Sequence, residues 1–269
     1  ALPAAAQETT FKFAHFLPAT HPIWTDGGQI CVDAVTEASG GKIAWEVFPA
    51  GQLGKDNLAV VTSGLADVSI IASSYAPEKF PLTSVAELPG LYASACEGTG
   101  RYWQLAREGG AIDTAEYDPL GLRALFVLTL PPYSLMTTVY PYGGVTPYKL
   151  EEVLHYGTQG AKLGSGSILI AMSQQGWDKL PDETKAIFDA AAIKAQRHLC
   201  AAQDRQDATF RDQIVAGAGF EVVELSAEER TLWQEALSGV TEDWAREMDA
   251  QGKGGTALLE TYRAADADF

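Results

Sequence analysis

The stretch "KIAWEVFPAGQLGKDNLAVVTSGLADVSIIA", residues 42–72, decides the fold. Its opening, "KIAWEVFP" (42–49), is typical of a strand, and a glycine-rich turn follows it. The pattern then predicts a short helix near residues 55–63 and a buried strand from Asp67 to Ala72. A strand, a helix and a strand in this order are joined by a crossover, so the two strands are expected to run parallel in one sheet.

The same alternation of strands and helices extends toward the N-terminus. "FKFAHFL" (11–17) is strand-like, and Pro22 suits the first position of the helix that follows. Gly40 and Gly41 are typical of the end of such a helix. The apolar stripe of this helix comprises Ile23, Gly27, Ile30, Cys31, Ala34, Val35 and Ala38. The order β-α-β-α-β predicts an α/β protein with mostly parallel sheets.

A long helical pattern in the C-terminal half predicts the domain organisation. Residues 182 to about 216 contain no proline or glycine, and a helix of that length extends roughly 50 Å. Because a single small domain does not cover such a helix, we expect two lobes connected by it. Lobe I is assigned residues 7–130 with about 200–237, and lobe II residues 131–199 with about 238–269.

The second lobe is expected to be incomplete. In "TLPPYSLMTTVYPYGGVTPYKLEEV" (129–153), a strand-like run ends at Leu130, and the turn "VYPYGG" begins nine residues later. Chains that alternate strands and helices normally place a crossover helix between two such pieces. None is predicted here, so this region lacks a crossover that the alternation of strands and helices leads us to expect.

Composition and motifs exclude several functions. The 269-residue chain has a formal charge of −16, with 19 Lys and Arg against 35 Asp and Glu, which argues against a nucleic-acid partner. The sequence contains no nucleophile elbow, no Walker A loop and no HExxH motif, and its four histidines lack metal-ligand spacing. "GSGSIL" (164–169) lacks the third glycine of a dinucleotide fingerprint. We therefore expect no enzyme, no cofactor and no metal.

The N-terminus and the cysteines leave alternatives open. Residues 1–6 are interpreted as the remnant of a signal peptide or as a disordered alanine-rich tail. Cys31, Cys96 and Cys200 are an odd number of widely spaced thiols, which is compatible with one disulfide or with three buried thiols.

Aromatic side chains are concentrated where the predicted strands end. Ligands of open α/β sheets bind beyond the carboxyl ends of the strands. Tyr75, Tyr133, Tyr140 and Tyr142 lie in such loops, and a tyrosine combines an apolar face with a hydroxyl that can orient a ligand. Packing between the lobes is the alternative for each. His15 is either a ligand or metal contact, or a core histidine bonded to backbone.

The sequence resembles the substrate-binding subunits of TRAP transporters, the DctP-like group, over nearly its whole length. The stretches that carry the resemblance are "FAHFLPATHPIW" (13–24), "GGKIAWEVFPAGQLGKDNLAVVTSGLADVSI" (40–70), "FPLTSVAELPGLY" (80–92), "GLRAL" (121–125), "LEEVLHYGT" (150–158) and "MSQQGWDKLPDETKAIFDAA" (172–191). The resemblance implies a periplasmic receptor with a two-lobe, type II binding-protein fold. Such a receptor closes on a small organic acid and delivers it to a permease of small and large membrane subunits.

What the resemblance implies for the binding site is incomplete. It assigns ligand contact to six loop positions, His15, Phe16, Tyr75, Tyr133, Tyr140 and Tyr142. Compared with the family, the sequence lacks a segment between Thr138 and Val139, either because the segment is deleted or because a disordered region was left out. In the family, an arginine that pairs with the ligand carboxylate lies in this segment, so that arginine has no counterpart here. Arg123 either points into the cleft or is solvated outside it. The alternative function is a binding-impaired scaffold or a dimerising regulatory protein derived from this fold.

Overall fold

The computed structural model describes residues 9–136, 139–145, 148–217 and 219–268. They form two compact units, each drawn from three segments of the chain. Unit 1 comprises the described residues of Ala1–Ala72, Ala106–Val127 and Ile168–Leu199, and unit 2 those of Ser73–Leu105, Leu128–Ser167 and Cys200–Phe269. The predicted lobes divide the chain differently. Since compactness does not say which segments move together, the lobe boundaries stay a prediction.

The predicted β-α-β-α-β order is confirmed. It consists of β1 (Thr9–Ala14), α1 (Gln29–Ala38), β2 (Ile43–Phe48), α2 (Asn57–Thr62) and β3 (Val68–Ala72). Strand β1 pairs in parallel with both β2 and β3. A π-helical turn, Trp24–Gly28, directly precedes α1, and the sequence pattern did not predict it.

Two later strands complete a five-stranded sheet. They are β4 (Leu122–Thr129) and β8 (Ser167–Ser173), and the sheet order is β2-β1-β3-β8-β4. Strand β8 runs antiparallel to β3, so the sheet is mixed at this position. All residues of β3 and β4 are buried, and they form the centre of the core.

The long helix is confirmed with the predicted bounds. Helix α5 runs from Asp182 to Ala216, 35 residues, after the short helix α4 (Gln174–Asp178). Its first part, up to Leu199, belongs to unit 1, and the part from Cys200 belongs to unit 2. The sequence can sustain one helix over this length because no proline or glycine interrupts it.

Unit 2 is built from helices and two small sheets. The helices, besides α5, are α3 (Ala95–Ala106), α6 (Ala227–Ala250) and α7 (Gly255–Ala264). Strand β5 (Ser134–Leu135) pairs antiparallel with β6 (Val139–Tyr140), and β7 (Tyr156–Gln159) pairs in parallel with β9 (Glu221–Glu224). A disulfide joins Cys96 to Cys200, and Cys31 is a buried free thiol. This selects the disulfide from the two alternatives for the cysteines.

Two predictions fall outside the described residues. The proposed signal remnant at 1–6 is one, and the predicted break between Thr138 and Val139 is the other, since Thr138 is not described. The flanking strands β5 and β6 lie side by side and antiparallel, a pairing that requires no crossover helix. None of the described helices is both long and apolar enough to cross a membrane.

Candidate functional site

Four tyrosines come together in unit 2. The ring centroids of Tyr133 and Tyr140 lie 6.1 Å apart, and those of Tyr140 and Tyr148 lie 6.4 Å apart at an edge-to-face angle of 69°. Tyr75 interacts electrostatically with all three. We call Tyr75, Tyr133, Tyr140 and Tyr148 the tyrosine group. The structure thus brings together three of the predicted loop tyrosines and adds Tyr148.

Short strands and glycines position this group. Tyr75 ends a helical turn, Ser73–Tyr75, that directly follows β3, and Tyr140 lies in β6. The Tyr140 ring occupies the space that a Cβ atom on Gly144 would need. The hydroxyl of Tyr133 lies 2.5 Å from the position of a Cβ atom on Gly166. Each ring therefore depends on a neighbouring residue that has no side chain.

The tyrosine group offers both apolar faces and neutral hydroxyls. Tyr75 and Tyr148 are 77% and 45% exposed, and Tyr133 and Tyr140 are half-buried. Burial raises the pKa of Tyr140 to about 12 and also raises the pKa of Tyr133 and Tyr148. The hydroxyls are consequently protonated at neutral pH, so each can donate or accept a hydrogen bond.

A half-buried carboxyl, that of Glu87, lies beside the tyrosine group. Oε1 of Glu87 accepts hydrogen bonds from the Ser73 hydroxyl at 3.0 Å, the Ser167 hydroxyl at 2.7 Å and the Ser167 N–H at 3.1 Å. Burial raises the pKa of Glu87, and the hydrogen bonds from Ser167 and Ser73 oppose that shift. After burial, Glu87 is the next cause of the raised pKa of Tyr133. The charged group that acts on Tyr133 is thus the carboxyl group of Glu87.

Tyr142, predicted to contact the ligand, lies in the core of unit 2. It is 3% exposed, its hydroxyl donates to the Thr158 carbonyl at 2.8 Å, and its ring meets Phe220 edge-on at 6.3 Å. The 3-10 turn Tyr142–Gly144 directs this side chain inward, whereas Tyr140 two residues earlier lies in a strand. The structure therefore supports packing, and not ligand contact, as the role of Tyr142.

His15 and Phe16 belong to unit 1, whereas the residues of the tyrosine group belong to unit 2. His15 is fully buried and stacks on Trp24 with a centroid distance of 4.5 Å. Side chains along a strand alternate between two faces, so His15 continues the buried face of Phe11 and Phe13. Phe16 is half-buried. Its burial therefore supports the alternative that His15 is a core residue.

Arg123 is a buried residue of unit 1. Its side chain is only 10% exposed, its guanidinium pairs with Glu108 at 2.7 Å and Asp189 at 3.6 Å, and it lies 4.8 Å above the Trp177 ring. The outward, solvated position is therefore wrong. Because two carboxylates already balance its charge, Arg123 is not an unpaired cation that could hold a ligand carboxylate.

The described residues contain no group of three or more His, Cys, Asp or Glu side chains that could hold a metal ion. The chemistry that the tyrosine group can perform is non-covalent. It can stack against a flat apolar ligand and bond to that ligand's polar atoms.

Comparison with known proteins agrees with this picture. The family model described as "Bacterial extracellular solute-binding protein, family 7" (DctP) matches residues 13–106 and 138–247. Three similar solved structures are TRAP solute-binding proteins. One from Desulfovibrio salexigens has 17% identity and a TM-score of 0.84, covering 96% of this chain and 95% of that chain.

The other two structures contain aromatic acids. A protein from Rhodoferax ferrireducens, in complex with copurified benzoate, has 19% identity and a TM-score of 0.84, covering 95% of this chain and 97% of that chain. A protein from Bordetella bronchiseptica, with bound (R)- and (S)-mandelate, has 18% identity and a TM-score of 0.82, covering 96% and 98%. At these identities the likeness shows the fold, which is the predicted two-lobe α/β fold.

Proposed function

Because the chain belongs to family 7 of the bacterial extracellular solute-binding proteins, the DctP family, we propose that it is a receptor for a small organic acid. This is a family of transport receptors and not of enzymes. The proposed receptor acts in the periplasm and delivers its ligand to the small and large membrane subunits of a TRAP-type permease. The family match over most of the chain supports the receptor role.

The proposed ligand is an aromatic carboxylic acid held by the tyrosine group. Tyrosine rings at 6.1 and 6.4 Å from one another form a partly exposed aromatic surface on which a flat ring can stack. Their protonated hydroxyls can donate hydrogen bonds to a carboxylate. Benzoate and mandelate in two similar proteins are ligands of this class. The tyrosine group is the observation that carries the choice of ligand.

A matched pair of acids tests the ligand class. Benzoate and cyclohexanecarboxylate carry the same charged group on rings of similar size, and only benzoate is aromatic. A ligand at one hundred times its Kd stabilises the folded chain by about 2.7 kcal/mol, which a thermal-shift measurement detects. We expect benzoate to bind more tightly than cyclohexanecarboxylate in isothermal titration, with galacturonate as the sugar-acid comparison.

Two variants test whether benzoate binds at the tyrosine group. Tyr140→Ala removes a ring at the centre of the tyrosine group and should weaken benzoate binding about tenfold, or roughly 1.4 kcal/mol. Tyr156→Ala is the control, because Tyr156 is 64% exposed on β7 and outside the group. Equal binding of both ring acids would reject the aromatic class but keep the receptor role. Failure of every acid to bind would contradict the receptor role itself.

The competing proposal is a binding-impaired scaffold or a dimerising regulatory protein. It predicts a dimer in solution and no ligand-dependent shift of Tm. Light scattering on the ligand-free chain separates the two, because a monomer that is stabilised by an organic acid fits only the receptor.

A further inference from the structure

A pocket of about 510 Å³ lies within unit 2. Its lining includes Arg101 from α3, Arg263 from α7, Lys162 from the β7–β8 connection, and Ser238, Thr241 and Glu242 from α6. None of the lining residues belongs to the tyrosine group. We call it the basic pocket. Its volume falls in the range of small-molecule sites, roughly 300–1,000 Å³.

The cations of the basic pocket keep unused hydrogen-bonding capacity. Arg101 binds Glu97 at 2.9 Å and the Leu91 carbonyl at 3.0 Å, but its buried Nε has no hydrogen-bond partner among the described residues. Arg263 binds Glu242 at 2.9 Å. A guanidinium has five N–H donors, so these ion pairs leave most donors available.

Lys162 is the cation without a counter-ion. Its side chain is exposed, and it makes no ion pair within the described part of the chain. With Glu97 and Glu242 counted, three cations face two carboxylates, which is a local excess of positive charge on a chain of net charge −16. Positive charge concentrated in a concave site of an acidic protein attracts anions.

The backbone at Lys162 is strained. Its φ of +50° lies in the left-handed region, between Gly160 at +98° and Gly164 at +103°. Glycine adopts such angles freely, but a lysine does not, and strain of this kind persists where the surrounding structure imposes it. The connection between β7 and β8 thus holds a cationic side chain at the pocket in spite of a conformational cost.

We propose that the basic pocket binds a small, multiply charged organic anion, such as a polycarboxylate, at a site distinct from the tyrosine group. Guanidinium groups bind carboxylates through paired N–H donors, and the Lys162 ammonium supplies the uncompensated charge. The hydroxyls of Ser238 and Thr241 provide further polar contacts in the same lining.

Citrate is the probe that tests this site. Isothermal titration of the full chain at constant ionic strength should show one saturable citrate site. Lys162→Gly should weaken citrate at least tenfold without lowering Tm, because glycine suits the backbone angle at this position. Arg263→Gln should weaken citrate too, and Lys162→Arg should retain binding because it keeps the charge.

The chain offers a matched control for the lysine variant. Lys149 is also exposed, also lies in unit 2 and also has a left-handed φ, +54°, but does not line the pocket. Lys149→Gly therefore makes the same change of charge and backbone and should leave citrate affinity unchanged. Tyr140→Ala should also leave it unchanged. The proposal is overturned if citrate shows no saturable binding, or if either control variant weakens it as much as Lys162→Gly does.

Discussion

The buried side chain of His15 makes the stability of the folded chain depend on pH. Burial lowers the pKa of its imidazole from 6.5 to about 4, and a backbone hydrogen bond at Leu17 opposes that shift. Between these pH values the unfolded chain binds a proton at His15 and the folded chain does not. The free energy of unfolding therefore falls as the pH is lowered from 6.5 toward 4. The pKa of His21 is also lowered to about 4 by burial, and His21 acts in the same direction.

Replacing His15 with phenylalanine isolates this effect. His15→Phe keeps a ring against Trp24 and removes the titrating group, so the variant should be at least as stable as the parent at pH 8. From pH 6.5 to 4, the parent should lose about 3 kcal/mol more free energy of unfolding than the variant. Urea denaturation at a series of pH values measures both. As a control, His155→Gln replaces an exposed histidine and should keep the parental change of unfolding free energy with pH. If the plots of unfolding free energy against pH are parallel for His15→Phe and the parent, this explanation is wrong.

Individual site residues were predictable to different degrees. The rule that ligands bind beyond the carboxyl ends of strands identified Tyr75, Tyr133 and Tyr140, because it depends only on where strands end. The same rule wrongly grouped Tyr142 with these three residues. The turn at Tyr142–Gly144 directs the Tyr142 side chain into the core, and a rule based on strand ends does not detect this. The alternation of Phe11, Phe13 and His15 already indicated that His15 is buried.

At the scale of elements, one face of α5 fixes other parts of unit 2. Asp204 accepts hydrogen bonds from the backbone N–H groups of Ala95 at 2.6 Å and Cys96 at 3.0 Å, and Asp207 accepts one from Gly143 at 2.9 Å. Cys200 forms the disulfide with Cys96. Positions 200, 204 and 207 share a helical face because their spacing is four and three residues. The start of α3 and the turn after Tyr140 are thus attached to one helix.

Removing one of these attachments should cost measurable stability. Asp204→Ala leaves the first N–H groups of α3 without their acceptor and should lower the free energy of unfolding by about 1–2 kcal/mol. Asp212→Ala is the control, because Asp212 is exposed and, among the described residues, pairs only with its neighbour Arg211. Its loss should change stability by less than about 0.5 kcal/mol. Urea midpoints report both. Equal effects of the two variants would show that the α3 contact contributes nothing.

The sequence predicted the length of α5 but not this face. Length follows from local properties, namely the absence of proline and glycine from 182 to 216. The Asp204 contact joins residues 109 positions apart. In a sequence, an acid on a helix looks the same whether it is solvated or caps a distant helix. The capping box at Ser226 and Glu229 was predictable because both partners lie within one turn.

At the scale of the whole molecule, the disulfide is the covalent link between distant parts of the chain. Cys96 and Cys200 are separated by 104 residues in the sequence, and both belong to unit 2. The odd number of cysteines left their pairing open, because no spacing rule selects one pair out of three. Likewise, each compact unit combines three segments, so local patterns predicted the elements and did not predict which unit holds each of them.

The disulfide can be tested by counting thiols and by stability. The unfolded, unreduced chain should expose one reactive thiol, that of Cys31, and three after reduction. The double variant Cys96→Ala/Cys200→Ala should lower the free energy of unfolding by about 2–5 kcal/mol, because it removes a constraint on a long loop of the unfolded chain. With Cys31→Ala, the thiol count should fall to zero before reduction. Three reactive thiols in the unreduced parent would exclude the bond.

The continuity of α5 has a consequence for how this chain can diverge. Successive residues of an α-helix point about 100° apart, so inserting or deleting one residue just before Cys200 would swing Cys200, Asp204 and Asp207 to another side together. All their partners would be lost in a single step, whereas exchanging any one side chain loses only its own. Descendants of this sequence should therefore vary in the residues of this helix far more readily than in its length.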